Sequence, residues 1–302
     1  MSAVILLTLT GLGLAALYFL VASGLSLVFG LADVLNFAHG LFLGVGAYAT
    51  WWAADNLPGA GSDGFGFVVA VAFGVLAGAL VAVLVELVLI RPLYSRTIEQ
   101  VLVTVGLSLA GVALLQATWG ADARPFPRPA WTRQVTSILG AKVPNAMLLL
   151  IVASVLVLGG LLAFLRWTRY GLVIRAGVEN REMVTALGID VRKAFTLVFA
   201  IGGAAAALAG ALGSTFYGTV SPGQGGSLLI FAFIVVVIGG MGSVVGSAYA
   251  AVAVALLQQF VNYYAVQYHE NLSGAGDICV VALLAVVLLL RPQGLAGKVA
   301  HA

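Results

Sequence analysis

The chain has 302 residues, of which 62% are hydrophobic and 8% charged, and its mean hydropathy is +1.12. That balance excludes an ordinary soluble domain and points to an integral membrane protein. A formal net charge of +3 is too small to argue for nucleic-acid binding, and the single cysteine, Cys279, can form no intrachain disulfide.

A membrane span needs about 20 apolar residues, and a charge at mid-bilayer costs on the order of 3 kcal/mol, so charge-free intervals mark the crossings. They cover residues 2–32, 34–54, 64–90 (interrupted by Glu86), 100–121, 143–165, 194–269 and 278–290. The first interval lacks a basic leader and a clear cleavage site, so it reads as a retained span. It is longer than one crossing and shorter than two, which fits either one long tilted helix or a helix followed by a half-span. The interval 194–269 is punctuated near 218–226 and 239–246, giving three crossings. The expectation is a single all-α domain over residues 1–302, a polytopic bundle of about eight or nine transmembrane helices with broken or re-entrant segments.

Orientation follows from the positive-inside rule. Placing Arg91, Arg96, the loop 166–193, Arg291 and Lys298 in the cytoplasm leaves Arg124, Arg128, Arg133 and Lys142 outside. The C-terminus is then cytoplasmic, and 122–144 is the largest external loop. That loop is a candidate contact surface for an external partner or a plain exposed connector.

The densest charge lies in 166–193, which holds six of the fourteen Lys and Arg residues. Within it, 180–187 reads as a short helix with Met183, Val184 and Leu187 on one face and Arg181 and Glu182 turned away. Gly188 suits a left-handed cap, and Asp190 can start the next helix. The segment is either a solvated basic loop or a docking helix for a soluble partner.

Small residues recur at four-residue spacing in Gly40/Gly44, Gly74/Gly78, Ala206/Gly210 and Gly242/Gly246, a pattern that lets helix backbones approach in lipid. The cluster Gly239, Gly240, Gly242 costs helix propensity and predicts a broken helix lining a cavity or packed on protein. Asp33, Asn36 and His39 lie between apolar runs, where ionisable or polar groups are functional candidates. Asn36 and His39 at i, i+3 either line a substrate route or form a structural polar network. Glu86, about a turn from Arg91, is expected to snorkel to the cytoplasmic edge.

There is no phosphate-cradling G-x-x-x-x-G-K-[ST], no H-E-x-x-H and no G-x-S-x-G. Gly274-Ala-Gly-Asp277 matches the G-x-G-D of intramembrane aspartyl proteases, but the Tyr-Asp that they require is missing. Any ATP used must be bound by another chain.

The run from Gly171 to Asp190 resembles the cytoplasmic coupling loop of the permease subunits of branched-chain amino-acid ABC importers, the shorter of the two homologous permease types. The likeness continues through 195–203, 208–210, Val220-Ser-Pro222 and 233–243, and through 24–30, 36–40 and Gly46-Ala-Tyr48 near the N-terminus. The resemblance implies a bacterial inner-membrane location and ATPase coupling through Glu179, Asn180, Arg181, Glu182, Met183, Ala186, Leu187 and Gly188. It implies a route along Asn36, His39, Gly40, Gly239, Gly240 and Gly242. By likeness to ribose-type permeases, 33–46 and 225–246 are the two segments that frame it.

The implied partners are a homologous second permease or a second copy of this chain, two cytoplasmic ATPases, an external solute-binding protein and membrane lipid. The implied substrate is a branched-chain amino acid, with urea, short amides or aromatic acids as alternatives. No cofactor is expected in this chain. An ion-coupled transporter using Asp33, His39 or Glu86 and a passive channel are the rival classes.

Overall fold

The computed structural model describes residues 2–32, 35–59, 63–94, 96–138, 140–179, 183–184, 191–268 and 274–296. The expected all-α membrane bundle is what the chain forms. Its first element, α1 (Ser2–Ala32), is one unbroken helix, so of the two readings of that interval the long helix is correct. At 1.5 Å per residue it is about 46 Å long, more than the roughly 30 Å hydrocarbon core requires.

The second helix, α2 (His39–Asn56), does not begin at the first apolar residue after Asp33; residues 35–38 form a turn first. Then come α3 (Gly64–Val85), α4 (Thr97–Trp119), α5 (Ala130–Arg133), α6 (Asn145–Trp167) and α7 (Arg169–Glu179). The interval expected to cross three times holds three helices, α8 (Val191–Tyr217), α9 (Gln224–Gly239) and α10 (Val244–Tyr268), and α11 (Ala275–Leu290) follows. Among the described residues six helices are long and apolar enough to cross a membrane: α1, α3 with its extension, α4, α6, α8 and α10. The 16 residues of α9 span only about 24 Å, shorter than a full crossing.

Helices α1, α2, α3, α8, α9 and α10 pack together at the centre. Small residues permit it. A methyl group on Gly24 would come within 2.5 Å of the Gly202 carbonyl, and one on Gly46 would strike the Ala207 backbone. In lipid, where apolar burial gains little, such close backbone approach is what holds helices together.

The two ends of the bundle differ. At one end, β1 (Arg124–Pro125) pairs antiparallel with β4 (Thr219–Val220), and β2 (Val135–Ile138) pairs with β3 (Ala141–Pro144) as a hairpin. Arg128 donates to the carbonyls of Thr215 and Phe216 in the last turn of α8, where a cation also meets the negative end of the helix dipole. The Trp51 indole donates to the Pro125 carbonyl at 3.1 Å. The segment 122–144 is therefore a folded cap pinned to the ends of α2 and α8, which goes beyond the plain connector.

At the other end lie α7, the end of α1 and the α9–α10 junction. Arg124 and Arg128 belong to the cap, whereas Arg175 and Arg291 belong to the opposite end.

Candidate functional site

The centre is built around the start of α2. Asn36 accepts a hydrogen bond from the Ala38 N–H through Oδ1 at 3.0 Å, and the His39 N–H bonds the Asn36 carbonyl, closing the turn that lets the chain begin a helix. His39 Nε2 lies 3.0 Å from the Val21 carbonyl of α1. Both side chains are buried, and they do not bond each other. Asn36 Nδ2 and His39 Nδ1 have no partner among the described residues. Asp33 lies outside them.

One residue further on, Gly40 meets Gly225 at the start of α9; a methyl on Gly40 would come within 2.9 Å of the Gly225 carbonyl. Phe37 and Phe233 pack beside them with ring centroids 5.0 Å apart. The two segments expected to meet, 33–46 and 225–246, thus do meet, through α2 and α9, two of the shorter helices.

The glycine break is present as expected. α9 ends at Gly239; Gly240 and Gly242 follow with φ of +96° and +84°, backbone that residues with a Cβ rarely adopt. Ser243 Oγ accepts the Gly246 N–H at 3.0 Å and starts α10. The carbonyls of Ile238 and Gly239, left without helical partners, accept the N–H groups of Leu295 and Ala296 at 2.8 and 3.1 Å. Gly242 packs on Gly30 and faces a cavity of about 440 Å³ shared with Leu162, Ile174, Arg175 and Ser243.

This cavity joins the break to the charged segment. Helix α7 begins at a cap that the sequence reading missed: Thr168 Oγ1 accepts the Gly171 N–H at 2.9 Å. Thr168, followed at i+3 by a glycine at the start of a 3.6-residue pattern, was the available signal. The helix buries Gly171, Ile174 and Gly177 on one face and exposes Tyr170 and Leu172, with Trp167 exposed just before it.

Of the coupling residues, Glu179 closes α7. Asn180, Arg181, Glu182, Ala186, Leu187 and Gly188 lie outside the described residues, and so does Asp190. Met183 and Val184 are helical but do not share a face as expected: Val184 is 4% exposed and packed in the core, while Met183 is 61% exposed. Neighbours on a helix are about 100° apart, so one turns in and the other out.

Glu86 corrects another expectation. It does not snorkel; it is fully buried at the start of a π-helical turn, Glu86–Ile90. Tyr94 Oη donates to its Oε1, and Thr196 Oγ1 donates to its Oε2 at 2.8 Å. The carboxylate therefore ties the end of α3 to the first turns of α8, close after the coupling segment. No cluster of three or more metal-ligating side chains occurs among the described residues.

The family described as branched-chain amino acid transport system, permease component, matches residues 7–290. The high-affinity branched-chain amino acid transport system permease BraD of Pseudomonas aeruginosa is 30% identical, covering 95% of this chain and 94% of its own. LivH of Escherichia coli K12 is 28% identical with the same coverage, and a probable LivH of Methanocaldococcus jannaschii is 25% identical over 92% of this chain and 88% of its own. No solved structure matches. With nearly its whole length matched, the chain belongs to the permease component family of branched-chain amino acid transport systems.

Proposed function

We propose that this chain is the permease subunit of an ATP-driven importer of branched-chain or related amino acids in the inner membrane, with its C-terminus in the cytoplasm. It works beside a second permease, on two cytoplasmic ATPases, and takes substrate from an external binding protein. The observation that carries this reading is the full-length likeness to transporters of branched-chain amino acids, whose best-covered members align over more than nine-tenths of both chains.

The geometry supplies a mechanism by alternating access. The exposed set Trp167, Tyr170, Leu172 and Met183 is the docking face for the ATPases. Closure of the ATPase pair displaces α7 and the segment after it. Two contacts carry the displacement inward: the Glu86–Thr196 bond into α3, and the packing of α7 on α1 and α8. Helix α9 moves against α2 at the Gly40–Gly225 contact, and Asn36 and His39 hold the wall of the route there. Both side chains are buried in this conformation, so a passing zwitterion meets their two unpartnered nitrogens only once α9 has moved off α2. ATP chemistry takes place entirely on the partner chains.

The test uses Met183→Glu in the reconstituted importer. Expected is uptake lost while ATP hydrolysis continues, or release of the ATPases from a folded bundle; unchanged uptake refutes the docking face. Uptake by the isolated chain under a proton or sodium gradient would refute the importer reading itself.

A further inference from the structure

Between α2, α3 and α4 lies a cleft of about 510 Å³, walled by Val45, Trp52, Phe73, Leu114 and Trp119, with Tyr48 behind. Its walls are almost wholly apolar. Trp52, Phe73 and Leu114 are exposed on the flank of the bundle, so the cleft opens toward lipid.

The mouth at the cap end is different. Arg124 of β1 holds its guanidinium 5.5 Å from the centroid of the Trp51 ring and reaches the end of α4 beside Gly120. Among the described residues the only ion pair is Arg96–Glu99, so Arg124 forms none there. The Tyr48 hydroxyl is buried with no hydrogen-bond partner among them. Trp51, Trp52 and Trp119 gather at this level, as tryptophans do at a membrane–water boundary. An apolar slot that opens to lipid and ends at a cation without an ion-pair partner, among interfacial aromatics, is complementary to an amphiphile with a negative head.

We propose that this cleft binds an anionic phospholipid of the leaflet at the cap end, with an acyl chain in the slot and its phosphate on Arg124. The site is independent of the coupling face and of the route.

Two of the five tryptophans, Trp52 and Trp119, line the cleft and a third, Trp51, stacks on Arg124, which makes their fluorescence the readout. The full chain is placed in phosphatidylcholine nanodiscs carrying a small fraction of phosphatidylglycerol brominated on its acyl chains, and compared with the same fraction of brominated phosphatidylcholine. Stronger quenching by the anionic lipid is expected. That excess should vanish in Arg124→Gln and persist in Arg124→Lys, while quenching by brominated phosphatidylcholine stays the same in all three. Equal quenching by the two lipids, or an excess that survives in Arg124→Gln, overturns the proposal. So does loss of the excess in the assembled importer, which would mean that another subunit covers the cleft.

Discussion

Helices α8 and α6 are both long and apolar, yet 67% of the apolar window of α8 is buried against 17% for α6. Hydropathy does not explain this, because α6 is the more hydropathic of the two. Size does. α8 carries Gly202, Gly203, Ala206, Ala207 and Gly210 toward its neighbours, whereas the paired glycines of α6, Gly159 and Gly160, face open space. Lipid tails solvate leucine as well as protein does, so position in the bundle is decided by how closely backbones can approach. The moving contact proposed here, α2 on α9, and the Glu86 link between α3 and α8 both lie in the close-packed part.

The sharpest way to break this comparison is to enlarge one glycine in each region. In Gly210→Leu the new side chain collides with the Leu43 carbonyl of α2, where nothing flexible can yield. Overpacking of this kind costs about 1–3 kcal/mol or more, so membrane accumulation and thermal stability should both fall markedly. Gly160→Val, with nothing within 4 Å, should leave both unchanged. Equal loss in the two variants would show that small residues do not sort the helices.

Next in size is the buried carboxylate. Glu86→Leu removes the acceptor that Tyr94 and Thr196 share and leaves the Thr196 hydroxyl only the Arg192 carbonyl, a loss of about 1–3 kcal/mol. Glu86→Gln keeps one acceptor oxygen and should cost less. Adding Tyr94→Phe to Glu86→Leu should cost less than the sum of the two single changes, as a thermal-stability cycle on the purified chain would show.

His39→Ala removes the contact with the Val21 carbonyl at the start of α2. Transport is expected to fall severalfold with assembly intact; failure to accumulate in the membrane would instead assign His39 to structure. The smallest effect is at the cap. Arg128→Gln loses a charged partner for the last carbonyls of α8, worth about 1 kcal/mol, and should lower the melting temperature slightly without changing uptake in detergent-free membranes.

Much of this bundle is legible in the chain. Charge-free intervals locate the spans because lipid tolerates few exceptions, and three glycines in four residues mark the break after α9 because no continuous helix wants them. Other features resist such reading. The carboxylate of Glu86 has two hydroxyl partners, one of them Thr196, 110 positions away, so distance along the chain to Arg91 was a misleading guide. Val184 and Met183 are alike in hydrophobicity and opposite in exposure, since only the packing of α7 and α8 decides which turns inward. Helix α7 was hidden by its charge density, although Thr168 announced its start.

The pairing of Leu295 and Ala296 with Ile238 and Gly239 has a consequence for biosynthesis. When the ribosome releases α9, the two carbonyls at its end have no protein partner, and none exists until residues 295 and 296 have been made. That end of α9 therefore cannot settle while α10 and α11 are being inserted, and shortening the chain before Leu295 would leave it permanently unfinished.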